Sequence, residues 1–302
     1  VDLLSRIIID TDIGTNADDA VAVALAVKSP EICVEGLTTV YGKVHTRART
    51  AQAVLNLCGV NHVPVYPGVP LPLLRNRPLR RAGMEDKGLA LALDEAPVTE
   101  GHAVEFIVEK VMNNPGEITL VTIGPLTNLA AALILEPQVA KQVKRIVMMG
   151  GVTRLGANGA ELEPVEHNIQ CDPEAASVVF RSGVPMLMVG LDVTRQARFT
   201  RDDARQMARC GTPLAACLVQ MMHAFMDYME RDFSYMCDPL TIAALIDPTL
   251  IRTVAMEIEV LYDHRTSSGQ TLARPQPSGP VNVALELDQE RFFELMYQRL
   301  FS

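Results

Sequence analysis

Apolar positions along the chain come in short β-branched runs that alternate with stretches of helical period. Arg6–Ile9 reads as a strand, and Asp18–Val27, an Ala/Val sequence opened by two aspartates, as a helix. Cys33–Val40 is the next predicted strand, with a helix from about Thr46 to Leu57 and a short strand at Val63–Tyr66. From Pro70 to Pro97 the pattern gives way to Pro, Gly and charge, which predicts a long surface excursion. Alternation then resumes: a helix at His102–Met112, a strand at Ile118–Ile123, a helix from Thr127, a strand at Arg145–Met149, a helix at Pro173–Phe180 and a strand at Pro185–Gly190. Two helical patterns cover roughly Arg201–Met229, an apolar helix follows Asp238, strands fall near Ala255–Leu261 and Val281–Leu287, and a last helix starts at Gln289. Strands separated by helix-length segments are the rhythm of βαβ units. The predicted class is therefore α/β, a Rossmann-like, mostly parallel sheet with helices on both faces.

One regularity bears on function. Polar or Gly-rich signals stand just after predicted strands: Asp10–Asp19, Tyr41-Gly42-Lys43, Gly124–Asn128, Gly150-Gly151 and Gly190-Leu191-Asp192. In open α/β sheets ligands lie beyond the carboxyl ends of the strands, so these loops are expected to share one mouth.

Length and composition narrow the picture. The 302 residues suit one large sheet, read as a single domain over 1–302, and 48% hydrophobic residues suffice for a sizeable core. No apolar run approaches the roughly 20 residues that span a bilayer, and no export signal is visible, so the chain reads as cytoplasmic and not membrane-bound. A net charge of −9 argues against a nucleic-acid polymer as partner. Cys33, Cys58, Cys171, Cys210, Cys217 and Cys237 form no CxxC pair and fit no zinc spacing.

Four aspartates, Asp10, Asp12, Asp18 and Asp19, fall within ten residues between an apolar strand and a helix. Like charges crowded where solvation is restricted call for a bound cation, and oxygen-only ligands favour a hard one, Ca²⁺ or Mg²⁺. Helix capping explains Asp18 or Asp19 but not Asp10 and Asp12 as well. The first half also resembles the DxDx[TV] signature of haloacid-dehalogenase-type phosphatases, with Gly14 at the fifth position instead of Thr or Val.

The rest of the chain resembles the inosine–uridine-preferring nucleoside hydrolase family. That family opens with DxDPGxDDA, and this chain has DTDIGTNADDA, two residues longer. Gly124-Pro-Leu-Thr-Asn128, Met149-Gly-Gly151, Asn168-Ile-Gln-Cys-Asp-Pro-Glu-Ala-Ala176, Gly190-Leu-Asp-Val-Thr194, Asp238-Pro-Leu240 and Gly269-Gln-Thr271 follow in order over nearly the whole chain. The resemblance implies one Ca²⁺ held by Asp12, Asp19, Asp238 and the carbonyl of Ile123. It implies that Asp12 takes a proton from the attacking water and that Asp18, Glu166 and Asn168 hold the ribose, with Asp10 supporting the loop. It further implies a homodimer or homotetramer. The expected activity is Ca²⁺-dependent hydrolysis of ribonucleosides to free base and ribose. The alternatives are a Ca²⁺-loaded ribose- or nucleoside-binding protein with little catalysis, and a DxD-type phosphatase.

Departures from the family pattern gather on the base side. Cys237 stands where the best-known branch has a His that helps the leaving base, Lys43 replaces an Asn, Ala82-Gly83 replaces His-Gly, and His167 replaces an aromatic. Asn158 is the candidate for a shifted loop Asn, in a loop that also carries Glu161 and Glu163. Lys43, Asn158 and Cys237 are thus candidate contacts to substrate. The stretch His223–Tyr235, with Tyr228 and Arg231, is a candidate source of donors to the leaving group.

Overall fold

A computed structural model describes residues 4–80, 98–156, 161–263 and 268–301. The chain runs β1 (Ser5–Thr11), α1 (Asp18–Val27), β2 (Ile32–Thr39), α2 (Val44–Leu57), β3 (Val65–Pro67), α3 (Ala103–Met112), β4 (Thr119–Thr122), α4 (Thr127–Leu135), α5 (Val139–Gln142) and β5 (Arg145–Met149). It continues through α6 (His167–Cys171), α7 (Pro173–Phe180), β6 (Met186–Val189), α8 (Leu191–Thr194), β7 (Arg198–Thr200), α9 (Arg201–Ala208), α10 (Pro213–Tyr228) and β8 (Phe233–Tyr235). Last come α11 (Cys237–Ile246), β9 (Ile251–Val260), β10 (Thr271–Pro275), β11 (Val281–Leu287) and α12 (Gln289–Phe301).

Among the described residues, nine strands form one sheet in the order β10-β9-β11-β6-β5-β4-β1-β2-β3. All neighbours from β3 to β11 are parallel, and β9 pairs antiparallel with both β11 and β10. The expected mostly parallel α/β sheet is therefore what the chain forms. The middles of the central parallel strands are apolar because helices cover both faces; Ile7, Ile8 and Ile9 are all at or near full burial, split between two core clusters. The excursion predicted for 70–97 shows no helix or strand as far as Arg80, and the rest of it lies outside the described residues.

Strand order reverses at β1, which pairs with β2 on one side and β4 on the other. That arrangement opens a crevice past the strand ends between Thr11 and Ile123. The short β7–β8 ribbon, which the period-2 pattern was too brief to reveal, lies apart from the main sheet. β7 leads directly into α9, and β8 leads from the end of α10 into α11.

Candidate active site

The floor of the crevice is the turn from β1 into α1. Gly14, at φ +107°, takes a backbone conformation that a side chain would strain. The Thr11 hydroxyl donates to Asp19 Oδ1 at 2.5 Å and accepts the Ile13 N–H at 3.0 Å, tying the strand end to the helix start. Beneath the turn lies the fully buried Arg47 of α2. Its guanidinium donates to the carbonyls of Tyr41 (2.6 Å), Ile13 (2.9 Å) and Asp12, and to the Thr15 hydroxyl (3.0 Å). Asp10 is buried and is not among the cavity-lining residues: its Oδ1 accepts from Thr38 at 2.6 Å and Asn128 at 2.7 Å, and burial raises its pKa to about 7.

A second element completes the floor. α1 packs against α11, whose first turn carries Asp238. Asp18 Oδ2 accepts the backbone N–H groups of Cys237 (3.0 Å) and Asp238 (3.2 Å), while its Oδ1 is buried and has no hydrogen-bond partner among the described residues. Oxygens of Asp18, Asp19 and Asp238 lie within 4.8 Å of one another, and all three residues are buried. Burial raises the Asp18 carboxyl to about 7; burial and the neighbouring aspartates hold Asp19 and Asp238 well above the ordinary carboxylate range. Three clustered buried carboxyls, offset only in part by the nearby Arg47, are unfavourable as charged groups. Oxygens that each sit about 2.3–2.6 Å from one Ca²⁺ can be up to about 5 Å apart, so this all-oxygen set fits a hard divalent ion.

The opposite edge of the crevice comes from β4, β5 and α6. Asn168 donates its amide to the carbonyls of Ile123 (3.1 Å) and Met149 (3.2 Å), stapling two strand ends. Glu166 caps α6, accepting the N–H groups of Asn168 (2.8 Å), Ile169 (3.0 Å) and Gly151 (3.1 Å). Burial raises its pKa and those N–H bonds oppose the rise. Gly124 follows directly on Ile123 because nothing larger fits: a Cβ there would stand 2.8 Å from Asp12 N and 3.0 Å from Asp12 Oδ1.

These groups line a cavity of about 670 Å³ that Asp12, Asp18, Asp19, Ile123, Glu166, Asn168, Cys237 and Asp238 share. Its upper wall is made of cations and rings. Arg195 pairs with Glu163 and lies 4.5 Å over the Tyr235 ring; Arg231 packs on Phe225, Phe233 and Tyr235 at 5.2–5.7 Å. Cys237 sits half-buried in the same wall, its thiol pushed up to about 12 by burial and by Asp18.

Most of the residues singled out in the sequence thus converge. Asp12 lines the cavity but falls outside the tight oxygen cluster, where Asp18 stands instead. Lys43 is exposed at the start of α2 and does not line the cavity. Asn158, like Ala82 and Gly83, lies outside the described residues. Of the stretch His223–Tyr235, Arg231 and Tyr235 reach the cavity, whereas His223 and Tyr228 do not. His167 lines it and places its ring 3.5 Å from the Cys171 sulfur. Two residues escaped the sequence reading. Arg195 directly follows the Gly190–Thr194 motif, which could have flagged it; Arg47, one arginine in an ordinary amphipathic helix, carries no such signal.

Comparison with known proteins agrees with this geometry. Residues 7–294 match the family described as inosine-uridine preferring nucleoside hydrolase. A probable uridine nucleosidase 2 from Arabidopsis thaliana is 38% identical over 81% of this chain and 78% of its own length. The pyrimidine-specific ribonucleoside hydrolase RihB of Escherichia coli O157:H7 (strain EC4115 / EHEC) is 36% identical over 96% of this chain and 95% of its own. Among solved structures, the plant nucleoside hydrolase PpNRh1 superposes with a TM-score of 0.88 at 31% identity, covering 99% of this chain and 100% of that one. A purine-preferring ribonucleoside hydrolase from Gardnerella vaginalis gives 0.84 at 29% identity, with 98% of each chain covered.

Proposed function

The chain belongs to the inosine–uridine preferring nucleoside hydrolase family and is a nucleoside N-ribohydrolase, and on that footing we propose that it is Ca²⁺-dependent and uses Asp12 as the base that activates water. The observation that carries this reading is the buried Asp18–Asp19–Asp238 cluster at the floor of the cavity, with Asp18 Oδ1 lacking a hydrogen-bond partner among the described residues. Asp19, Asp238 and the Ile123 carbonyl would hold the ion together with Asp12; when bound, Ca²⁺ orients the vicinal hydroxyls of ribose and makes a nearby water more acidic.

The protein's own groups account for the rest. Asp12, on the cavity side of the Arg47-braced turn, accepts the proton of the attacking water. Asp18 presents its unpartnered Oδ1 to a ribose hydroxyl. Both N–H donors of the Asn168 amide are taken by strand-end carbonyls, so its Oδ1 remains to accept from the sugar. Glu166 oxygens retain lone pairs for a hydroxyl beyond the N–H groups they cap. Cleavage of the C1′–N bond builds positive charge on C1′ and the ring oxygen, and fixed carboxylates stabilise that charge without reorganising. The phosphatase alternative fails on geometry: Asp10, its required nucleophile, is buried, engaged by Thr38 and Asn128, and absent from the cavity lining.

The test is an assay with uridine, cytidine, inosine and adenosine before and after chelation. Uridine heads the panel because relatives are named for uridine and pyrimidine ribonucleosides. Release of ribose that stops on chelation and returns with Ca²⁺ is the expected result. Turnover unaffected by complete chelation would remove the metal from the mechanism.

A further inference from the structure

The aspartate floor serves the sugar, which becomes positive. The base becomes negative, and the wall above it is cationic. Arg195 is the member of that wall placed to act on the base. It leaves α8 directly after Thr194 and turns its guanidinium into the cavity with 17% of the side chain exposed. Two contacts fix it. Glu163 accepts from Nε at 3.2 Å and from Nη2, and the guanidinium carbon lies over the Tyr235 ring, 4.5 Å from its centre. A guanidinium has five N–H donors. Glu163 engages donors on Nε and Nη2, and the others meet no partner among the described residues, at a point close enough to both Glu166 and Cys237 to act on their charge. A cation with spare donors, pinned in a cavity wall, is unusual as a structural feature and suited to an anion that forms there. Cys237 beside it is a thiol, a feeble hydrogen-bond donor by comparison.

We propose that Arg195 stabilises the departing base as its anion, so that no residue need protonate the base before the bond breaks. The inference rests on the hydrolysis proposed above. The C1′–N bond breaks with its electron pair passing to the base nitrogen, while the water oxygen bonds to C1′ and the water proton passes to Asp12. The base leaves with its charge spread over nitrogen and ring carbonyls, held by the free N–H groups of Arg195, and takes a proton from solvent after release. Glu163 and Tyr235 are positioning residues that hold the guanidinium in place.

The experiment compares Arg195→Gln, Arg195→Lys and wild type, each Ca²⁺-loaded, on 5-methyluridine, uridine and 5-fluorouridine, ordered by rising acidity of the free base. Because the contact strengthens only as charge develops, Arg195→Gln is expected to lower kcat for uridine about a hundredfold with KM changed less than about threefold. The loss should be larger for 5-methyluridine and smaller for 5-fluorouridine, whose anion needs less help. Arg195→Lys should restore part of kcat, since it keeps the charge without the planar fork. An equal loss on all three substrates, or no loss, overturns the proposal; so does the same substrate-graded loss in Arg231→Gln but not in Arg195→Gln. Residual turnover of 5-fluorouridine by Arg195→Gln shows that the variant is folded, and Arg195→Lys supplies the test if it is not. Failure of the wild type on every nucleoside would instead overturn the parent reading of the site, and this one with it.

Discussion

Arg47 donates to the carbonyl oxygen of Ile13 at 2.9 Å, and the same guanidinium reaches the carbonyl of Asp12 on the residue before. The loop that carries Asp12 is thus held from below by one buried side chain. The family's motif has Pro-Gly here and a shorter turn; this chain has Ile13-Gly14 and two extra residues, and Arg47 braces that longer turn. Removing it leaves several buried carbonyls without donors. Arg47→Met should destabilise the protein by about 3–5 kcal/mol, read from the urea midpoint, and Arg47→Lys should fall between it and wild type because a point charge cannot serve the fan of acceptors. A Met variant as stable as wild type would show that the loop holds itself.

The buried aspartates give the metal-free protein an unusual pH dependence. Asp10 and Asp18 have pKa values raised to about 7, from the ordinary carboxylate value that they regain on unfolding. Between those values the folded state binds more protons than the unfolded one, so stability is greatest below about pH 4 from these groups and falls as pH rises towards 7. Metal-free protein should therefore melt at a lower temperature at pH 8 than at pH 5. Saturating Ca²⁺ should raise the melting temperature most at the higher pH, with about 4 kcal/mol gained at a thousandfold excess over Kd. A metal-free melting temperature that climbs from pH 5 to 8 would count against the cluster being electrostatically stressed.

Gly124 links the Ile123 carbonyl to the floor. A Cβ at this position would meet backbone and carboxylate atoms of Asp12 within 3.0 Å, and backbone cannot swing aside as a long side chain can. Gly124→Ala should weaken Ca²⁺ binding at least tenfold by titration calorimetry while the circular dichroism spectrum stays native. Unchanged affinity would mean that Asp12 and Ile123 are free to shift without cost.

The parallel sheet, the Asp10–Asp19 segment and the placing of Asp238 at the same cluster were legible because each has a local signature: apolar runs, crowded carboxylates, a motif at a helix start. α1 at Asp18–Val27, β5 at Arg145–Met149 and α7 at Pro173–Phe180 fall where the pattern places them. What stayed hidden depends on long-range contacts. The β7 and β8 strands have three residues each, too few for a period to register. Asp18 reaches across to Cys237 and Asp238, a partnership that no spacing announces. Lys43 aligns with a loop Asn of the family; it is exposed, immediately precedes α2 and is not among the residues that line the cavity. Arg195 was overlooked because its partners, Glu163 and Tyr235, come from segments on either side of it in sequence.

Asn168 makes the sharpest distinction between donor and acceptor in the site. Its amide nitrogen bridges Ile123 O and Met149 O, and its own N–H caps onto Glu166. Asn168→Asp keeps the shape but turns a donor between two carbonyls into a buried negative charge, next to Glu166 and across the cavity from Asp12. Asn168→Ala leaves the carbonyls unpaired but adds no charge. The aspartate variant should be the less stable of the two, with the penalty over wild type about 3–5 kcal/mol against about 1–3 kcal/mol for alanine. Both should raise KM for ribonucleosides, since the Oδ1 left for the sugar is lost in one and displaced by repulsion in the other. Equal thermal stability of the Asp and Ala variants would show that the 168 side chain does not bridge these strand ends as a donor.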